Sequence, residues 1–460
     1  MTSVLWLRRD LRRHDLPALG AAAHATDGDV HVLFVIDPVL WDNAGPVRRG
    51  WLAASVRAAV ESYDGHLTLR VGDPVTTVVA TAAEVGARSV HVSAETTPYG
   101  ARRDAAVRRG LADQGIDWVA TGSPYAVGPG RVTKKDGEPY RVFSPFARAW
   151  REHGWAEPAP TPRGVRWGEQ RSDPDAATRL DRAVSECPVV LPTAGEEVAL
   201  RRWRAFRDER LADYAEARDR PDLPGTSRLS PYLKVGAIHP RTILADLARR
   251  RGRAVSAYVD ELAWREFFAD VLHAEPGSAW HDLRPELRSM PYDEPDDVVA
   301  AWRQGRTGLP IVDAGMRQLA ETGWMHNRVR MITASFLCKD LHVWWPVGAR
   351  HFLDRLLDGD VASNNHGWQW IAGTGTDAAP YFRVFNPITQ GRRFDPDGDY
   401  VRRWVPELAH VAGKGVHEPW KVHVGYLHGY PEPVVDHGVE RVEALRRYDA
   451  ARRGATGAAD

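Results

Sequence analysis

Residues 358–387 set Asp358 and Asp360 around Gly359, then Asn364 and Asn365, then Trp368 and Trp370, then a Gly/Thr run. Acids, amides and indoles so close together offer charge, hydrogen bonds to a polar ring, and surfaces that stack or carry electrons. Gly and Asn both disfavour helix interiors. The stretch therefore reads against a plain core helix, and a loop with capping residues and two core tryptophans is the simple alternative. A second group is Glu261, Trp264 and Arg265, at i, i+3 and i+4 on one helix face. Carboxylate, indole and cation together suit a stacked heterocycle with imide groups; a salt bridge beside a core Trp would use the same residues. A third is Gly225, Thr226, Ser227, Arg228 and Ser230 ahead of a helical run. Hydroxyls, free backbone N–H groups and an arginine there make a phosphate cradle, or an ordinary N-cap. Asn327, Arg330 and Met331 also share a helical face.

These groups need elements to hold them. Residues 4–7, 30–36, 67–71, 90–92 and 118–119 are short β-rich runs, with helical stretches such as 47–60 and 74–85 between them. That alternation predicts a doubly wound parallel sheet. Its ligands sit at the carboxyl ends of strands, where Arg8, Arg9, Asp10, Asp37 and Glu95 fall; solvated loop charges are the alternative. Residues 157–192 are rich in Pro, Gly and charge and read as a long connector. From about 196 onward the apolar spacing turns helical, with candidates at 196–216, 240–250, 257–273, 310–321 and 329–341. The expected division is an α/β domain over 1–128, a connector over 129–195 and an all-α domain over 196–460.

At 460 residues, with 43% hydrophobic and 27% charged residues and zero net charge, the chain supports more than one packed core. Only six of its 61 basic residues are lysine. A neutral protein meets nucleic acid through a local basic patch. Eighteen tryptophans is a high count; they serve as core, as base-stacking surfaces or as electron carriers. Cys187 and Cys338 have no CxxC spacing, which fits a reducing, cytoplasmic setting. No signal peptide or membrane span is expected, and no His/Cys cluster has metal-ligand spacing.

The run Asp-Gly-Asp, Asn-Asn, Trp-Gln-Trp and Gly-Thr-Asp-Ala-Ala-Pro-Tyr-Phe-Arg resembles, nearly residue for residue, the flavin-binding heart of the DNA photolyase/cryptochrome family. WLRRDLRRHD, RVFSPFARAW, Gly-Thr-Ser-Arg-Leu-Ser, ELAWREFF and GWMHNRVRM extend the resemblance over about residues 3–410. It implies the photolyase fold, an α/β Rossmann-like antenna domain followed by an all-α FAD domain. It assigns Tyr214, Thr226, Ser227, Arg228, Leu229, Ser230 and Arg265 to FAD, with Arg330 paired to Asp358 over the ring, Asp360 beside it and Asn364 facing the flavin. It assigns Glu261, Trp264, Asn327, Arg328, Met331, Trp370 and Gln390 to the lesion and its DNA. Arg392 and Arg393 extend the phosphate contact.

The branch follows from finer matches. His326 before Asn327 matches the cyclobutane-dimer branch. Asn364 points to repair, where plant cryptochromes carry Asp. The implied protein is a class I cyclobutane pyrimidine dimer photolyase, a monomer acting on UV-damaged DNA, single- or double-stranded, with the dimer flipped out. The alternative is a cryptochrome, a blue-light photoreceptor; Asn364, the intact pocket set and the short tail after Trp420 stand against it. Tyr99-Gly100 ahead of Arg103-Asp104 departs from the folate-type Asn-Glu pair. An 8-hydroxy-5-deazaflavin antenna near Asp37, Tyr99 and Asp104 is expected, with methenyltetrahydrofolate or no antenna as alternatives. The family's electron chain matches at Trp368 and Trp345, and its outer position falls on Tyr292; Trp302 or Trp344 would take that place if Tyr292 is inert. His366 replaces a small residue.

Overall fold

The structure is a computed structural model describing residues 2–377 and 382–457, with side chains through residue 453. Residues 378–381, the Ala-Ala-Pro-Tyr of the flavin-like stretch, lie outside the described residues. The chain forms two compact units. One contains residues 1–212 and 227–276, the other 213–226 and 277–460.

The first unit is built on five parallel strands: β1 (Thr2–Leu7), β2 (Asp29–Ile36), β3 (Thr68–Val71), β4 (Ala87–Val92) and β5 (Asp117–Ala120), in the order β3-β2-β1-β4-β5. β1 and β2 are buried almost throughout, as strands covered on both faces must be. Leu5 pairs with Val32 on one side and His91 on the other. Strand order reverses between β1 and β4, the switch point where such sheets open a crevice. All five expected strands are present. The presumed connector is more ordered than its composition predicts. Arg166–Trp167 pairs with the start of β2. A helix, Ala176–Ser185, packs on the helix Pro46–Ser62, so close that a Cβ on Gly50 would lie 2.8 Å from the Cys187 Cβ.

Expected helix 196–216 is interrupted. Glu196–Glu209 ends at Arg210, and a tight turn, Leu211–Asp213, precedes the short helix Tyr214–Ala217. The helix carrying Glu261, Trp264 and Arg265 runs Arg253–Ala274.

The second unit is helical. Its core gathers Trp302, Phe336, Trp345, Phe352 and Trp368, all almost fully buried. Expected helix 329–341 is Asn327–Ser335 followed by a π-helical turn, Phe336–Asp340, in which Leu341 N bonds Phe336 O at 3.0 Å. Residues Val361–Ala372 are helical despite their amides and glycine. Asp360 caps this helix by accepting from Ser363 N. Three of its polar side chains bond the segment 278–283. Asn365 donates to Ala279 O, His366 Nε2 accepts from Ser278 Oγ, and Gln369 spans Ser278 O and Leu283 N. Those bonds outweigh a propensity cost of about 1 kcal/mol or less per residue.

Candidate functional site

In the second unit the centre is Asp358. Its Oδ2 accepts from Arg330 Nη2 at 2.9 Å, and Arg330 Nε donates to Met325 O. Asp358 Oδ1 is buried with no hydrogen-bond partner among the described residues. A buried carboxylate oxygen left open beside a guanidinium fits an N–H or O–H of a flavin nucleotide. Asn364 Nδ2 donates to Ala349 O and to Asn365 Oδ1. His366, four residues after Ala362, gives its Nδ1 hydrogen to that residue's carbonyl. Burial pushes its pKa down to about 4, so the imidazole is neutral and serves to fasten the helix.

Trp368 packs edge-on against Phe352 and Trp302, with centroids 4.9 and 6.1 Å away. A Cβ on Gly348 would stand 2.2 Å from its ring, so only glycine lets the helix Trp345–Arg355 approach it. Trp345 Nε1 donates to Asp282 Oδ1 at 2.7 Å. Tyr292 is half-buried, with its ring 6.5 Å from Trp344. Asp293, next to Tyr292 in the chain, is bound through both oxygens by Arg447.

Of the residues assigned to the lesion, Asn327 is exposed at the start of its helix and Met331 is half-buried. Arg328 pairs with Asp219 at 2.9 Å and lies over Phe394. Arg392 pairs with Glu418, while Arg393 is exposed. Gln390 is half-buried on the helix Pro387–Phe394. Trp370 lines a small cavity with Lys339 and Tyr448, and its indole N–H is buried without a partner among the described residues.

In the first unit Arg228 takes a left-handed conformation, φ 51°, rare for a side chain of its size and concentrated at functional sites. It is exposed, as is Ser230, and Leu229 is buried beneath them. The helix that follows, Ser230–Val235, is too short for its dipole to matter much. Hydroxyls, backbone N–H groups and the arginine are the donors that suit a pyrophosphate. Ser227 Oγ accepts from Tyr258. Thr226 and Tyr214 belong to the other unit, where Arg218 lies over the buried Tyr214 ring.

Glu261 and Trp264 are half-buried on one face of their helix. One face of the Trp264 ring lies on Phe143, 3.7 Å away and nearly parallel. Arg265 turns elsewhere. It donates to Pro124 O and Leu233 O and covers the Tyr125 ring, so it braces the backbone of Ser230–Val235.

At the sheet's switch point Tyr99 donates to Asp37 at 2.6 Å. Asp104 is held by Arg8 through both oxygens and by Arg103. Glu95 would be raised by burial, but Arg9, the Thr97 amide, Arg8 and Arg103 outweigh that and hold it at about 2. Of the strand-end charges, Arg8, Arg9, Glu95 and Asp104 pair with one another and with Arg103, while Asp10 and Asp37 accept from Ser93 and Tyr99.

Sequence reasoning missed Asp282, Phe143 and Lys339. Lys339 sits in the π-helical turn, buried, donating to Arg383 O and lying over Phe382. Burial pushes its pKa down to about 7. From about pH 7 to about pH 10 the unfolded chain binds this proton and the folded chain does not, so the group makes stability rise with pH there. Below that window both states hold the proton and the cost of the buried charge is constant. Lys339→Met should abolish the rise, which is at most about 1.4 kcal/mol per pH unit. Urea melts of both proteins across the window check it; parallel pH profiles would refute the assignment.

Residues 3–163 match the family described as DNA photolyase, and residues 258–450 match the FAD binding domain of DNA photolyase. The chain is 42% identical to a deoxyribodipyrimidine photo-lyase of Streptomyces griseus, covering 98% of this chain and 99% of that one. It is 38% identical to the protein of that name from Escherichia coli, with the same coverage. Among solved structures, a bacterial class III photolyase from Agrobacterium tumefaciens superposes with a TM-score of 0.88 at 35% identity, covering 98% of each chain. A Synechocystis cryptochrome gives 0.87 at 27% identity, covering 97% of this chain and 98% of that one. With a parallel α/β unit, a helical FAD-binding region and relatives matched end to end, this chain belongs to the DNA photolyase family.

Proposed function

We propose that this protein is a deoxyribodipyrimidine photo-lyase of class I, which repairs cyclobutane pyrimidine dimers flipped out of DNA. The observation that carries the reading is the fixed amide of Asn364. Both hydrogens of its Nδ2 are engaged, by Ala349 O and Asn365 Oδ1. Its Oδ1 is then an acceptor that carries no proton. Such a group holds the N–H of a reduced flavin ring without protonating it, which a carboxylic acid would not guarantee. When bound, reduced FAD supplies the light-excited electron that splits the dimer and then takes it back. Asp358 and Arg330 orient the ring, and Asp360 fixes the helix that carries Asn364. Tyr214, Thr226, Ser227, Arg228, Leu229 and Ser230 serve the pyrophosphate. Arg265 acts through the Leu233 carbonyl. Glu261 hydrogen-bonds the dimer, Trp264 stacks on it, and Asn327, Met331 and Trp370 border it. Arg328 and Gln390 take the DNA, and Arg328 divides its guanidinium between Asp219 and the phosphate it meets.

Illumination of the reduced protein with dimer-containing oligothymidine should restore the thymine absorbance, with no change in the dark. Repair of 6-4 products with dimers left intact would overturn the class. For the antenna we propose 8-hydroxy-5-deazaflavin over the Asp37–Tyr99 pair, with Asp104 beside it. Expression in a host without deazaflavin should give FAD alone, and adding the chromophore should restore a second absorbance band. Stoichiometric bound folate would refute this.

A further inference from the structure

Asp282 is almost fully buried, and both of its oxygens face indoles. Oδ1 accepts from Trp345 at 2.7 Å, and Oδ2 accepts from Trp344 at 3.4 Å. The two rings are 6.4 Å apart. Trp345 is fully buried, whereas Trp344 is 37% exposed. Trp345 opens the helix that bears Gly348, and Gly348 abuts the Trp368 ring. Trp345 therefore sits one helical turn from the glycine that meets the Trp368 ring, and one carboxylate bridges Trp345 to Trp344 at the surface.

Tyr292 has a different environment. Its hydroxyl is buried with no hydrogen-bond partner among the described residues. The carboxylate next to it in sequence, Asp293, is taken by Arg447. A phenol gives up an electron readily only if its proton leaves as well, and no described residue hydrogen-bonds the Tyr292 hydroxyl to receive it. Burial, with Asp282 and Cys338 nearby, also raises the phenol pKa. An indole, by contrast, can lose an electron before its proton leaves, and a carboxylate on its N–H first stabilises the cation by charge and can then take that proton.

We propose that Trp344, not Tyr292, is the outermost electron donor for light-driven flavin reduction, and that Asp282 joins Trp344 and Trp345 into one hole-accepting pair. This rests on the flavin photoenzyme reading above. One electron leaves Trp368 for the excited oxidised flavin. Trp345 refills Trp368, and Trp344 refills Trp345. The oxidised Trp344 passes its N1 proton to Asp282 Oδ2 and becomes a neutral indolyl radical. A soluble thiolate then gives one electron to that radical, the proton returns from Asp282 to N1, and two thiyl radicals combine as a disulfide. Asp282 touches neither flavin nor substrate and acts as a positioning residue.

The test is flash absorption and electron paramagnetic resonance of the FAD-loaded, oxidised protein, with dithiothreitol and without DNA. Trp344→Phe should shorten the charge-separated state by about tenfold or more and remove the neutral indolyl signal. Asp282→Asn keeps an acceptor for one indole but no negative charge. It should retain FAD content and melting temperature while leaving the radical as the protonated indole cation. A purely structural role for Asp282 would not move that signature. A tyrosyl radical, or a loss in Tyr292→Phe as large as in Trp344→Phe, would overturn the proposal. So would an unchanged lifetime in Trp344→Phe together with loss in Trp368→Phe, which leaves the underlying reading standing. Absence of any radical in the unsubstituted protein, or no effect of Trp368→Phe, would overturn both. If Trp344→Phe fails to fold, the radical identity in Asp282→Asn decides.

Discussion

Asp358→Ala should yield protein that purifies without FAD. The substitution removes the carboxylate partner of Arg330 and, with it, a buried oxygen that no described residue bonds. The Asp358 side chain is 4% exposed and the Arg330 side chain 24%, so the pair is only partly screened. The ligand then loses a hydrogen bond to a charged group, worth about 1.5–3 kcal/mol, or roughly 10- to 150-fold in affinity. The apoprotein should still fold, because Arg330 keeps its bond to Met325 O and the helix Asn327–Ser335 keeps its cap from His326. Asp358→Asn retains a carbonyl acceptor and should fall between the two. Flavin absorbance after purification, followed by titration of FAD into the stripped proteins, gives the affinities. Wild-type FAD content and affinity in Asp358→Ala would show that this carboxylate does not hold the cofactor.

The same residues show what a sequence can and cannot carry. β1 and β2 were legible because burial on both faces imposes continuous Val, Leu and Ile runs, which need no partner to be recognised. The Val361–Ala372 helix was not, because local propensity speaks against Asn364, Asn365 and Gly367. The bonds that overrule it run from Asn365, His366 and Gln369 to a segment about ninety positions earlier in the chain. The charges after β1, β2 and β4 were visible as a cluster, but their pairing was not. Asp104 belongs to Arg8 across 96 positions. Family resemblance named Trp345 and Trp368, yet nothing local marks Asp282 as the carboxylate under Trp345, 63 positions away. The 157–192 stretch misled in the opposite direction. Its Pro and Gly content looks like a connector, while Ala176 and Leu180 are buried within the first unit.

Trp264→Ala should weaken binding of dimer-containing DNA in the dark by roughly 5- to 150-fold, the equivalent of about 1–3 kcal/mol of lost stacking. The ring is held in place before any ligand arrives. Phe143 covers one face at 3.7 Å, and Phe267 and Phe268 pack at its edges. An indole fixed in this way loses little rotamer entropy when a base stacks on its other face. Undamaged DNA is held mainly through phosphates, so its weak binding should change far less, and the ratio of the two affinities should fall. Phe143→Ala leaves the indole present but unbacked, and should give a smaller loss of the same kind. Glu261→Ala separates recognition from chemistry. It removes a hydrogen bond to the dimer and should lower the repair yield per absorbed photon more than the affinity. Fluorescence anisotropy with labelled oligothymidine, with and without one dimer, measures all three variants. If Trp264→Ala lowers both affinities by the same factor, the ring does not read the lesion, and the face formed by Glu261 and Trp264 is only part of the helix packing.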